Sequence, residues 1–289
     1  MVDLKTGYVN MPDYNLWYSV YGADKPGVPL LVVNGIALSH DYMEPISELS
    51  SDRPVIFYDQ RGCGNSGGDV NISEWTLDVF FEEIDALCKE LNYPKYHILA
   101  HCVSAMISLS FVLDRNPDYI ASLIMASPVL NSKTLTSDML LRVESLPKDV
   151  RDTLNGCRTQ GDFTSDKYNE AMMVFYSHHF CVTQPWPDCL LRSAACINHR
   201  IFNHFVGQSA FYLDGVIADF DLTDRLKDIT LPVIYICGKH DEIHPDTVKN
   251  YHRNTRDSQF YVIKGASHCY HIEQKEKFFR ILNDFLNIH

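Results

Sequence analysis

His97-Ile98-Leu99-Ala100-His101-Cys102-Val103-Ser104-Ala105-Met106 changes character at its middle. Residues 97–100 form an apolar run of the length and composition of a strand buried on both faces, and residues 105–113 have the apolar spacing of a helix. Between them the chain must turn sharply. A nucleophile carried on such a corner needs small residues two positions before it and two after it, because the backbone packs tightly between strand and helix. Ala100 and Ser104 meet that need around Cys102. The usual pattern has Gly at both flanks and Ser at the centre, so the match is degenerate and places a thiol where a hydroxyl is normal. A thiol at a helix N-terminus faces the positive end of the helix dipole, which favours thiolate, and a nearby imidazole favours it further. Ser104 is the competing nucleophile, one step into the helix and facing away from the strand edge.

Working outward, further β-branched and aliphatic runs recur at Leu30–Val33, Val55–Tyr58, 120–125, 233–237 and 260–263, each resembling a strand buried on both faces. Amphipathic stretches at 75–91, 105–113 and Lys275–Leu286 alternate with them. Such alternation predicts an α/β fold, a mostly parallel central sheet with helices on both faces. Residues 6–20 alternate apolar and polar side chains and turn at Pro12-Asp13, as an antiparallel hairpin at the sheet edge would. Between about 130 and 221 the pattern is helical, with no convincing strand. The expected organisation is a core of residues 1–129 and 222–289 carrying an inserted helical cap, 130–221, over the carboxyl edge of the sheet, where open α/β folds bind ligands.

Bulk properties narrow the function. With 289 residues, 46% hydrophobic and 21% charged, the chain can bury a large core. A net charge of −12 argues against nucleic acid and anionic membrane as partners, since phosphate tracking needs a clustered Lys/Arg excess. The amino terminus has no basic patch followed by an apolar stretch, and no apolar run approaches the roughly 20 residues needed to span a bilayer, so a cytoplasmic protein is expected. Nine scattered cysteines, an odd number, fit reduced thiols, mostly small buried apolar side chains.

Two further strand ends carry chemistry. Gly238-Lys239-His240-Asp241 follows 233–237, and Gly265-Ala266-Ser267-His268 follows 260–263. A carboxylate at Asp241 can orient the imidazole of His268, which then serves Cys102 as base. The chain order nucleophile, acid, histidine is one of the three known for such triads. Oxyanion donors are expected from the amides of Val103 and of Ile36, in the loop after Leu30–Val33, where Gly35 lets the chain turn beside the substrate. His240-Asp241-Glu242-Ile243-His244 lacks the Glu directly after the first His that a zincin helix requires, so no metal site and no cofactor are expected. His271 is a poor second for the base. The insertion is rich in aromatics, including Tyr176, Phe180 and Phe202; among them Phe175, Trp186 and Phe211 are expected to line a pocket for an apolar group.

These residues carry a resemblance. Tyr58-Asp59-Gln60-Arg61-Gly62-Cys63-Gly64-Asn65-Ser66, with Ser39-His40-Asp41-Tyr42, Trp186-Pro187 and Phe205-Val206-Gly207-Gln208-Ser209, resembles the proline iminopeptidase-type α/β-hydrolases nearly end to end. The likeness implies that fold, a cap and the triad. There are departures. Asn34-Gly35-Ile36-Ala37-Leu38 stands where the family has His-Gly-Gly-Pro-Gly, Cys102 stands for Ser, and Ala210 replaces a Glu that helps hold the substrate's amino group. Glu242, beside Asp241, matches the second amine-binding acid of the family and is a candidate substrate contact. The short segment 101–106 also resembles bacterial stress-signalling hydrolases and the plant karrikin and strigolactone receptors.

A thiolate attacks esters, thioesters and activated amides, leaving the acyl group on sulfur as a thioester that can be passed to water or to a second substrate. The sequence therefore predicts a hydrolase or acyltransferase of small, largely apolar acyl compounds, free or carrier-bound. Two alternatives stand beside it: a ligand receptor that uses the triad for tethering or not at all, and a proline-type aminopeptidase relying on Glu242 alone.

Overall fold

The computed structural model describes residues 3–68, 72 and 75–289; Met1 and Val2, included in the sequence analysis of the amino terminus, lie outside them. Eight strands form one sheet in the order β1-β2-β4-β3-β5-β6-β7-β8: β1 Leu4–Asn10, β2 Asn15–Tyr21, β3 Leu30–Val33, β4 Val55–Tyr58, β5 Tyr96–His101, β6 Ile120–Ala126, β7 Val233–Gly238 and β8 Ser258–Ile263. The expected hairpin is β1 and β2, antiparallel with Asn10 opposite Asn15, and β2 joins β4 antiparallel. From β4 to β8 every pairing is parallel.

Strand periodicity sorts the side chains onto two faces. Leu31, Val33, Ile56, Ile98 and Tyr235 point to the face covered by α1 Asp78–Leu91, α2 Ser104–Arg115 and a later helix, Pro245–Asn254. Leu30, Val32, Phe57, Leu99 and Ile234 point to the other, under the 3-10 segment His40–Ser51 and the last helix, Lys275–Leu286. That helix buries Phe278, Leu282, Phe285 and Leu286, at roughly 1.5–3 kcal/mol each. β8 departs from the expectation of two buried faces. It closes one end of the sheet with β7 as its single neighbour, and most of its residues are only half-buried.

Five α-helices lie between β6 and β7: α3 Ser132–Glu144, α4 Lys148–Gln160, α5 Asp166–His179, α6 Asp188–Ala195 and α7 His199–Phe205. Asn131 and Asp221 pair in an isolated antiparallel bridge at the base of this insertion, so the chain leaves and re-enters at one point. Arg192 of α6 binds Asp41 at 2.8 Å and Glu44 at 2.5 Å, Asn198 at the start of α7 donates to the Gly62 carbonyl at 2.8 Å, and His204 meets the Trp75 carbonyl at 2.9 Å. Among the described residues no helix is long and apolar enough to cross a membrane.

The stretch 58–66 is a packing device. Asp59 Oδ2 accepts from the amide and side chain of Asn65 at 2.8 and 2.9 Å, and a Cβ on Gly64, at φ 47°, would collide with that carboxylate. The Arg61 guanidinium lies between the rings of Tyr14 and Trp75, 4.6 and 4.7 Å from their centroids. Behind it Glu83 of α1 is fully buried; Oε1 accepts from Tyr14 Oη at 2.8 Å and the Arg61 amide at 2.7 Å, while Oε2 has no partner among the described residues. Burial pushes its pKa up to about 7, against the downward pull of those two hydrogen bonds and of the Arg61 charge. The folded state therefore holds this proton up to about pH 7 whereas the unfolded chain releases it near pH 4.5, so stability falls as pH rises through that window. Glu83→Gln keeps the acceptor and buries no charge. It is expected to add about 1–3 kcal/mol at pH 8 and almost nothing at pH 4.5, read as the difference in urea midpoints at the two pH values.

Candidate active site

The parallel register brings the carboxyl ends of β5, β7 and β8 to one edge of the sheet, and each is followed by one of the expected residues. Cys102 stands between β5 and α2 at φ 62°, a left-handed conformation rare for a side chain with a Cβ. The surrounding backbone enforces it: the Cys102 amide donates to the Ala126 carbonyl at 3.0 Å, and its own carbonyl accepts from Ala105 and Val129, both at 3.1 Å. The strain turns the sulfur out of the sheet into a cavity of about 350 Å³. Ser104 is fully buried and donates to the Asn34 carbonyl at 2.5 Å, whereas Cys102 lines the open cavity.

Asp241 is fully buried and its carboxylate is saturated. Oδ2 accepts from Ser127 Oγ at 2.5 Å and the Gly238 amide at 3.1 Å; Oδ1 accepts from the Ile243 amide at 3.1 Å and meets His268 Nδ1 at 2.8 Å. Gly238 is required for this approach, since a Cβ there would run into the Ser267 carbonyl of the histidine loop. With Nδ1 donating to Asp241, His268 turns Nε2 toward the cavity, 3.6 Å from Glu242 Oε1, and the donor atoms of Cys102, Glu242 and His268 all lie within 4.8 Å of one another.

The electrostatics of the imidazole are a contest. Burial opposes its charging, but the carboxylates of Glu242 and Asp241, the Cys102 sulfur and the hydrogen bond to Asp241 outweigh it and hold the pKa well above the usual histidine range. Glu242 is itself pushed up to about 7 by burial, partly offset by the charge of His268. Replacing Glu242 by Gln removes one of the raising charges, so the His268 ring is expected to titrate at lower pH than in the wild type. An NMR titration of the His268 Cε1–H resonance reads this directly, and an unmoved midpoint would show that the two groups do not interact.

The amides of Ile36 and Val103, the expected oxyanion donors, donate to no other group among the described residues, and both residues line the cavity. Gly35 lines it too, and its amide donates to Tyr42 Oη at 2.7 Å. Tyr42 Oη lies 3.0 Å from His101 Nδ1, and His101 Nε2 lies 3.2 Å from the His268 carbonyl. Only one assignment of hydrogens serves all three contacts: Gly35 N–H to Tyr42 oxygen, Tyr42 O–H to Nδ1, and Nε2–H to the carbonyl. Burial holds the His101 pKa well below the ordinary value, in keeping with that neutral ring. A wire of hydrogen bonds thus joins the loop after β3 to the loop that carries His268. Tyr42, His101 and Ser127 carry no expected role in the sequence, where the adjacency of His101 to Cys102 is the one signal.

Apart from the reacting groups the cavity wall is almost wholly apolar, with Leu135, Met139, Tyr176, Phe180, Trp186, Phe202 and Ala210 among its members. Trp186 is where the sequence expects it. Phe175 and Phe211 are not. Both are buried behind the wall, packed edge to face at 5.2 Å, while Phe180 stacks on the His268 ring at 5.4 Å. A helix turns about 100° per residue, so Tyr176 reaches the cavity and its neighbour Phe175 does not. His271 donates from Nε2 to the Tyr42 carbonyl at 3.0 Å, away from Cys102, and His244 caps the helix Pro245–Asn254, accepting from the Asp246 amide at 3.2 Å.

Comparison with known proteins adds to this geometry. A family model described as alpha/beta hydrolase fold matches residues 28–275. A proline iminopeptidase of Heyndrickxia coagulans is 32% identical over 283 residues, spanning 97% of this chain and 98% of that protein. The crystal structure of a proline iminopeptidase from Mycobacterium smegmatis superposes with a TM-score of 0.90 at 29% identity, covering 99% of this chain and 98% of that one. That of VinJ gives 0.92 at 27% identity, covering 98% of both chains.

Proposed function

Since the chain belongs to the proline iminopeptidase-like α/β-hydrolases and is an enzyme of that superfamily, we propose that it works through a Cys102 thioester on a small, largely apolar ester, thioester or amide. The observation that carries this is the sulfur held at positive φ, facing an apolar cavity, with the Nε2 edge of His268 beside it. Cys102 Sγ attacks the carbonyl carbon, and its proton passes to His268 Nε2 and on to the leaving group. The oxyanion rests on the amides of Ile36 and Val103. Water, or an amine or thiol acceptor, then attacks the thioester; His268 takes the attacking group's proton and returns it to sulfur. Asp241 holds the imidazole in the tautomer these transfers need. Residues 130–221 serve as the cap, and Met173, half-exposed yet part of the wall, marks the mouth where a free or carrier-borne acyl group enters.

Intact-mass spectrometry of the wild type and of Cys102→Ala, after incubation with acyl thioesters and with aminoacyl anilides, tests this. An adduct of the acyl mass on the wild type alone is the expected result; an adduct of equal yield on Cys102→Ala would assign the chemistry to another residue.

One observation favours a second reading. Glu242 is the sole acidic side chain on the cavity wall among the described residues, and a buried carboxylate suits a substrate ammonium. An aminopeptidase would use it so, as the resemblance implies, without the second acid that Ala210 replaces. Steady chromophore release from proline anilide, faster than from neutral acyl anilides, would support that activity; the reverse order would remove it.

A further inference from the structure

We propose that Cys102, Glu242 and His268 form a binding site for one thiophilic divalent cation, zinc, which reversibly closes the catalytic centre. No metal site is expected from the sequence, where residues 240–244 fail the zincin pattern and these three residues stand apart in the chain. In the fold they come together: a sulfur, a ring nitrogen and a carboxylate oxygen all lie within 4.8 Å of one another, the one such His/Cys/Asp/Glu group found among the described residues.

The geometry is close to what zinc requires. Zinc bond lengths of about 2.0–2.3 Å at tetrahedral angles put ligand atoms roughly 3.4–3.6 Å apart. His268 Nε2 and Glu242 Oε1 already stand 3.6 Å apart. The sulfur, within 4.8 Å of the other two atoms, needs to close by at most about 1.4 Å, within reach of one torsion of Cys102 and three of Glu242. The support behind the imidazole is also that of a metal site. Its other nitrogen donates to the buried Asp241 at 2.8 Å, the carboxylate–histidine arrangement that fixes the ring and leaves Nε2 to bind.

Ligand chemistry selects the ion. Thiolate and imidazole favour zinc over magnesium or calcium, and thiolate plus carboxylate balance its two charges inside an apolar cavity. On binding, the thiol gives up its proton and Nε2 any proton it carries, both to solvent, and three bonds form from S, N and O. The fourth position faces the cavity. Nucleophile and base are both occupied, so Cys102 cannot attack. A relative with serine at the elbow would offer a much poorer ligand, so the site follows from the thiol.

The site needs only these three positions and stands apart from whether Cys102 is acylated. Full-length, metal-free protein is titrated with zinc chloride by calorimetry and with cobalt chloride by absorbance, and alkylation of the Cys102 peptide by iodoacetamide is followed with and without one equivalent of zinc. Expected are one zinc per chain, a sulfur-to-cobalt charge-transfer band, and at least about tenfold slower alkylation. Cys102→Ser loses the band and weakens zinc on the order of a hundredfold, and Glu242→Gln weakens it about tenfold. Zinc held as tightly by Cys102→Ser as by the wild type, a cobalt spectrum without the sulfur band, or unprotected Cys102 would overturn the site. If Cys102→Ser does not fold, Glu242→Gln and the alkylation rates of the wild type decide alone. Acylation of Cys102 in protein that binds no zinc removes the cation site and leaves the proposed function; zinc bound through Cys102 with no acyl adduct does the opposite.

Discussion

Cys102→Ala is expected to lower turnover of a neutral acyl thioester by on the order of 10⁴-fold or more while leaving substrate affinity nearly unchanged. The methyl group keeps the apolar contact with the cavity but offers nothing to attack a carbonyl. No neighbour can stand in: Ser104 is fully buried with its hydroxyl committed to the Asn34 carbonyl, and His271 is buried and donates to the Tyr42 carbonyl. What survives is the rate supplied by binding and by the Ile36 and Val103 amides. Stopped-flow or steady-state kinetics, with circular dichroism to establish folding, reads the effect. A folded Cys102→Ala protein that keeps a tenth of the activity would mean that sulfur is not the attacking atom.

Asp241→Asn is expected to reduce kcat by about 10³–10⁴-fold. The wild-type carboxylate accepts four hydrogen bonds, from Ser127, Gly238, Ile243 and His268. An amide offers one accepting oxygen and one donating nitrogen. If the nitrogen faces His268, it also meets the Ile243 amide, donor against donor, and the ring must accept at Nδ1, so its proton moves to Nε2, where it can no longer take one from Cys102. If the nitrogen turns the other way, it meets the Gly238 amide, donor against donor, inside a fully buried site. Either clash costs about 1–3 kcal/mol, which should also appear as a lower melting temperature. An unchanged kcat would show that His268 does not depend on Asp241 for its tautomer.

The sheet was legible because its central strands are short apolar runs between turn signals, a pattern that burial on both faces demands. The edge strand β8 has a similar composition but a single neighbouring strand, and composition does not report neighbours. Cys102, Asp241 and His268 were readable for a topological reason: in a parallel sheet, residues that directly follow strands emerge at one edge whatever their distance in sequence. The pocket wall was not readable to that depth. An aromatic-rich helix announces aromatic packing, but whether Phe175 or Tyr176 reaches the cavity depends on how α5 is rotated against the sheet. The wire through Tyr42 and His101 was harder still. His101 and the His268 carbonyl that fixes its tautomer are 167 positions apart in the chain, and nothing local in either stretch announces the partnership.

The bridge between Asn131 and Asp221 has an evolutionary consequence. Because departure and return share one doorway, the 89 residues between them form a cassette whose length and composition can change without altering the spacing of the strands beneath. Descendants of one ancestral scaffold could exchange roofs, and with them the shape of molecule admitted, while inheriting the same floor of reacting groups.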